Sequence, residues 1–177
     1  MPFVGRLNKV EALSGAVESS GATGGAFWWT NADYNYWSAQ NLCQSYGATL
    51  AVFENAALSV SLTQNLDHRQ QYWVGLFNAA QDPGLDGSWV WANQYPYQAH
   101  GYQSWGPSQP PATASDAAWC VAIQWQKNKT GGGQWAWFAD ACSTNHGVLC
   151  QLQSGQYQTL FSASALFLCI MYTALYF

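Results

Sequence analysis

The chain has 177 residues, enough for one domain with short flanks and a sizeable core. Hydrophobic residues make up 49% and aromatics 16%, with 11 Trp and 10 Tyr, a composition that excludes an intrinsically disordered chain. Five Lys+Arg against nine Asp+Glu leave a net charge of −4, with Lys127 and Lys129 the sole close basic pair, which argues against nucleic acid as a partner.

Residues 1–25 are small and polar, with Ser19-Ser20-Gly21 and Gly24-Gly25 closing the stretch, and read as a flexible leader. Arg6, Lys9, Glu11 and Glu18 interrupt any apolar run there, so no signal peptide is visible and the true start is expected upstream of Met1. Residues 26–152 read as the globular domain, and 153–177 as a polar link and an apolar tail. Within the domain, Ala39, Leu42, Cys43 and Tyr46 recur at helical spacing, and Gly47 ends that helix. Leu58, Leu62 and Leu66 follow Asn55, an N-cap, and predict a second short helix.

The pattern then changes. Tyr72 to Leu76, Trp89 to Trp91, Trp119 to Trp125, Gln134 to Phe138 and Gly147 to Gln151 are short β-favouring runs. Lys127 to Gly133 suits a hairpin loop, and residues 77–118 form a long Gly/Pro/Asn/Gln/Tyr region with little regular pattern. A loop of that length in a compact domain is expected to be functional. The order of strand, two helices and then strands predicts an α+β domain.

Cys43, Cys120, Cys142, Cys150 and Cys169 lack the two-residue spacing of a zinc knuckle or a redox pair. Two long-range disulfides and one odd thiol are the simplest arithmetic, and they imply an oxidising, extracellular setting. Asn128-Lys129-Thr130 is a glycosylation sequon and points the same way.

From about Phe27 to Gln151 the chain resembles a C-type lectin-like domain. The residues that carry the resemblance are Trp37-Ser38-Ala39-Gln40-Asn41-Leu42-Cys43, Gly47-Ala48-Thr49-Leu50-Ala51 with Glu54, and Trp73-Val74-Gly75-Leu76 for the family's WIGL motif. Trp89-Val90-Trp91, Trp105-Gly106 and then Cys120, Trp137, Cys142 and Cys150 follow in family order. The resemblance implies two short helices, a small twisted antiparallel sheet, a long irregular loop, and disulfides Cys43–Cys150 and Cys120–Cys142. It assigns Trp73, Trp89, Trp91 and Trp119 to the core.

In sugar-binding members of that family, a calcium ion in the long loop joins the protein to two sugar hydroxyls. Calcium takes six to eight hard oxygen ligands. The family's loop triplet, EPN or QPD, stands here as Gln109-Pro110-Pro111, which keeps an amide and a proline expected to be cis but loses the third ligand. The Trp-Asn-Asp motif stands as Trp137-Phe138-Ala139, without either ligand in that register. Gln109, Asp116 and Asp140 are the residual metal candidates, and Asp140 is one step late on a strand, which turns it to the opposite face. Calcium binding is expected to be lost or much weakened.

Tyr95, Tyr97, Tyr102 and Trp105 lie in the long loop and are expected at the surface. Tyr97, Tyr102 and Trp105, with Gln109, Pro110 and Asp116, make up the candidate ligand-binding set. Trp135 and Trp137 share one strand face, and core packing is the favoured reading for both. His68, His100 and His146 are scattered without ligand spacing, and no nucleophile-elbow motif is present, so catalysis is discounted.

Thr159 to Phe177 carries no charge and would span about 28 Å as a helix. A membrane span, a lipid-anchor signal and a packed segment are its alternatives. The resemblance, Gln109-Pro110 and the loop aromatics point to a carbohydrate-binding module with weak or no calcium dependence; the low charge, abundant aromatics and apolar tail point instead to a structural module that uses the fold for protein–protein contact or homo-oligomerisation.

Overall fold

The computed structural model describes residues 16–17, 27–78, 89–94, 97, 101–111 and 119–152. Asp116, Tyr95, His100, Cys169 and the apolar tail lie outside the described residues. In chain order the elements are β1 (Ala16–Val17), β2 (Phe27–Tyr34), α1 (Tyr36–Ser45), β3 (Thr49–Leu50), α2 (Ala56–Thr63), β4 (Gln71–Asn78), β5 (Trp89–Trp91), β6 (Trp119–Lys127), β7 (Gly133–Ala141) and β8 (His146–Gln151).

Both helices start on an asparagine. Asn35 accepts the Ser38 amide at 2.9 Å and Asn55 accepts the Leu58 amide at 2.9 Å, each satisfying a donor that the first helical turn leaves free. α1 buries Tyr36, Ala39 and Cys43, and just beyond it Gly47 adopts φ 73°, where a side chain would be strained. α2 stops at Thr63, short of Leu66, which is buried from the following turn instead.

The strands join one sheet in the order β1-β2-β8-β4-β6-β7, with β3 added to β8 and β5 to β4. It is mixed rather than wholly antiparallel, because β4 and β8 run parallel. Parallel neighbours need a long crossover, and here β5, β6 and β7 supply it. Within the stretch read as a leader, Ala16–Val17 pairs with Trp28 and Phe27. Phe27 in turn lies opposite Gln151, so β2 begins beside the end of β8.

One side of the core gathers Phe53, Leu58, Leu62, Tyr72, Val74, Leu76, Trp91, Ile123, Trp137 and Leu149. The other packs α1 through Tyr36, Ala39 and Cys43 onto Trp28, Trp73 and Val148. Cys43–Cys150 closes a separation of 107 residues and Cys120–Cys142 one of 22, the pairing that the resemblance implied. On the chain-entropy model they contribute about 5 and about 3 kcal/mol respectively.

Candidate functional site

β7 is the last strand of the sheet, paired to β6 on one side only. An edge strand exposes alternate peptide groups unless something covers them. Here the long loop does so. The Trp137 amide donates to Ser104 O at 2.7 Å, and the Gly106 amide donates to Trp137 O at 2.9 Å. Ser104 Oγ donates to Trp135 O at 2.9 Å, and the Ala139 amide donates to Gln109 Oε1 at 3.1 Å. Residues 135, 137 and 139 therefore address the loop in turn, as strand alternation requires. The loop turns back through a Gln109 amide to Gly106 O bond of 3.1 Å, with Ser108 at φ 60° and a cis Gln109–Pro110 peptide.

The loop aromatics are seated rather than loose. Tyr97, Tyr102 and Trp105 are half-buried and pack against the core. The Trp105 indole donates to the Tyr97 hydroxyl at 2.9 Å. Trp105 meets Trp89 at 5.1 Å and Trp137 at 5.5 Å between ring centroids, and Tyr102 meets Trp137 at 5.7 Å, all at angles typical of favourable aromatic pairs. Trp137 is wholly buried at the centre of this group, and Trp135 points inward with it. The surface expected from the sequence is thus the outer rim of an aromatic layer. No charged residue lies between 101 and 111.

Among the described residues, the side chains at the loop and β7 positions do not fit calcium. Gln109 spends its carbonyl oxygen on the Ala139 amide. Pro111 and Ala139 offer no side-chain oxygen, and Phe138 presents a ring where an oxygen ligand is needed. Asp140 faces away: Oδ1 accepts from the Ala141 amide at 2.7 Å and from Thr144 Oγ1 at 3.2 Å, while Oδ2 lies 2.9 Å from His146 Nε2. Among the described residues no three His, Cys, Asp or Glu side chains group to hold a metal ion. Gln109 and Asp140 are not brought together, and the third candidate, Asp116, lies outside the described residues.

Two arrangements escaped the sequence reading. The Phe138 ring lies directly on Gly106, where an added Cβ would come within 2.2 Å of it. Only the glycine after Trp105 hinted at so close an approach. On the α2–β4 connection, His68 stacks flat on Trp125, and neither residue type nor spacing signals that pairing. Asn128 sits exposed at the β6–β7 turn, its Oδ1 accepting from the Thr130 amide, Thr130 Oγ1 and the Gly132 amide at 3.1, 2.9 and 2.8 Å. Trp37 stands 51% exposed on α1, edge-on to Phe77.

With the caps, the mixed sheet, the two disulfides and the loop-covered edge in view, the comparison with known proteins is direct. Residues 32–152 match the family model described as Lectin C-type domain, and the chain belongs to that family. It is 28% identical over 121 residues to the mouse protein C-type lectin domain family 6 member A, covering 67% of this chain and 52% of that protein. The chain thus spans about half the length of this curated relative. The C-type lectin domain of murine dendritic cell inhibitory receptor 2, solved with an N-glycan, superposes with a TM-score of 0.61 at 24% identity, over 80% of this chain and 98% of that one. The trimeric Kupffer cell C-type lectin receptor Clec4f superposes with a TM-score of 0.62 at 20% identity, over 86% and 91% of the two chains. These likenesses establish the fold.

Proposed function

We propose that the domain is a non-enzymatic extracellular recognition module that binds carbohydrate through its long loop, with weak or no dependence on calcium. The observation that carries this reading is the uncharged aromatic and amide rim of Tyr97, Tyr102, Trp105 and Gln109, held on β7 by the loop's hydrogen bonds. Indole and phenol rims take the apolar faces of sugar rings, and amides complete the polar contacts. The murine receptor domain solved with an N-glycan supports the ligand class. The two disulfides support an extracellular setting, and residues 159–177 supply the membrane tether in this reading. Capture on immobilised glycans tests it: Trp105→Ala and Tyr97→Ala abolish capture while the melt stays cooperative. Unchanged capture in both variants sinks the long-loop reading.

A second reading is a structural module for protein–protein contact, in which Trp37, half in water beside Phe77, would be a contact residue. The trimeric relative supports self-association as its form. Light scattering tests that form: a monomer at high concentration with the tail intact counts against it.

A further inference from the structure

We propose that the long loop is latched to β7 by the protein alone, through Gln109 and Phe138, in the place where the resemblance puts a calcium ion. The latch has a polar half and an apolar half. In the polar half, the Gln109 carboxamide reaches 30 residues along the chain to accept the Ala139 amide at 3.1 Å. That bond continues a series begun by Ser104 and Gly106, so the side chain serves as the outermost rung on an otherwise unpaired strand edge. In the apolar half, the Phe138 ring closes over Gly106, which has no side chain to obstruct it.

The two halves act on neighbouring residues of one strand and on residues three apart in the loop. Together they fix the loop in position and in twist, as a bridging cation does by coordinating both segments at once. A Phe ring offers no lone pair to a hard cation, and one lone pair of the Gln109 oxygen already goes to the Ala139 amide. The same two residues therefore build the loop's shape and leave a divalent ion fewer oxygens than it needs there. The inference concerns how the face is built and stands independently of what binds there.

Amide hydrogen exchange on the labelled full chain, with its disulfides formed, tests the latch in chelator and in millimolar calcium. The Ala139, Trp137 and Gly106 amides should be slow in chelator, with calcium changing their rates by less than about twofold. Gln109→Ala should speed exchange at Ala139 by about tenfold, whereas Gln109→Glu, which keeps an acceptor, should retain the protection. Fast exchange at Ala139 in chelator that slows in calcium overturns the latch. So does a Gln109→Ala variant with unchanged protection, or a Gln109→Glu variant as exposed as the alanine one. The wild-type comparison alone decides if a variant does not fold. Failure to capture glycan would sink the carbohydrate reading and leave these rates untouched, so the two ideas fail separately.

Discussion

Asp140 Oδ2 lies 2.9 Å from His146 Nε2, and the imidazole in turn packs edge-on against Trp73 at 4.5 Å. The carboxylate thereby joins the end of β7 to the start of β8, far from any role in a loop site. Asp140→Ala should lower the unfolding free energy by about 1–2 kcal/mol, because it strips partners from Ala141, Thr144 and His146 together. The loss should be the same in calcium and in chelator. A loss confined to calcium would return Asp140 to the metal candidates.

The two buried tyrosines Tyr36 and Tyr72 should respond oppositely to loss of the hydroxyl. Tyr72 accepts the Asp67 amide at 3.2 Å and donates to Asn31 Oδ1 at 2.7 Å. Tyr36 is equally buried, yet its oxygen has no hydrogen-bond partner among the described residues, and burial pushes its phenol well above the ordinary value. Tyr72→Phe should cost about 1–2 kcal/mol, whereas Tyr36→Phe should cost nothing or add stability. Denaturant melts of the two variants compare them directly, and equal losses would refute the contrast.

Gly106→Ala should destabilise the protein by about 1–3 kcal/mol, since the new methyl meets the Phe138 ring. In a Phe138→Ala background the same change should cost far less. A double-mutant cycle on thermal melts reads the coupling, and additive effects would mean the ring swings aside freely.

The disulfides should differ in value. Replacing Cys43 and Cys150 by Ala opens a 107-residue separation and should cost about 1.4 kcal/mol more than replacing Cys120 and Cys142, which opens one of 22. Equal melting temperatures for the two pairs would show that native contacts, and not chain entropy, dominate.

Expressed through a secretory pathway, the protein should carry a glycan on Asn128, whose exposed turn leaves it accessible. Glycosidase treatment should lower the mass of the wild type and leave Asn128→Gln unchanged. The variant should also lose about 1 kcal/mol, because Oδ1 closes the turn on Thr130 and Gly132. Identical masses before and after treatment would exclude the modification.

Much of this architecture is written locally. Asn35 and Asn55 begin the helices because a carboxamide fits the first free amides, and apolar spacing marks the faces that Ala39, Cys43, Leu58 and Leu62 bury. Strand alternation put Trp135 and Trp137 on one face and Asp140 on the other, and the structure makes the tryptophan face the core. The loop was not legible in the same way. Its order comes from single long-range contacts, Gln109 with Ala139 and Phe138 with Gly106, which have no period to detect. Burial of Tyr97 and Trp105 likewise depends on Trp137 lying beneath, a fact of tertiary structure that local composition does not encode.

Phe27 and Gln151 lie opposite each other, with Val17 beside Phe27. The start of β2 and the end of β8 thus sit within one strand spacing, about 5 Å, of each other. A unit with that geometry is a natural candidate for circular permutation, with a short linker joining residue 152 to residue 27 and new ends opened at the Asn128 turn. It can also be spliced into a surface loop of a host protein without forcing the host's flanking residues apart.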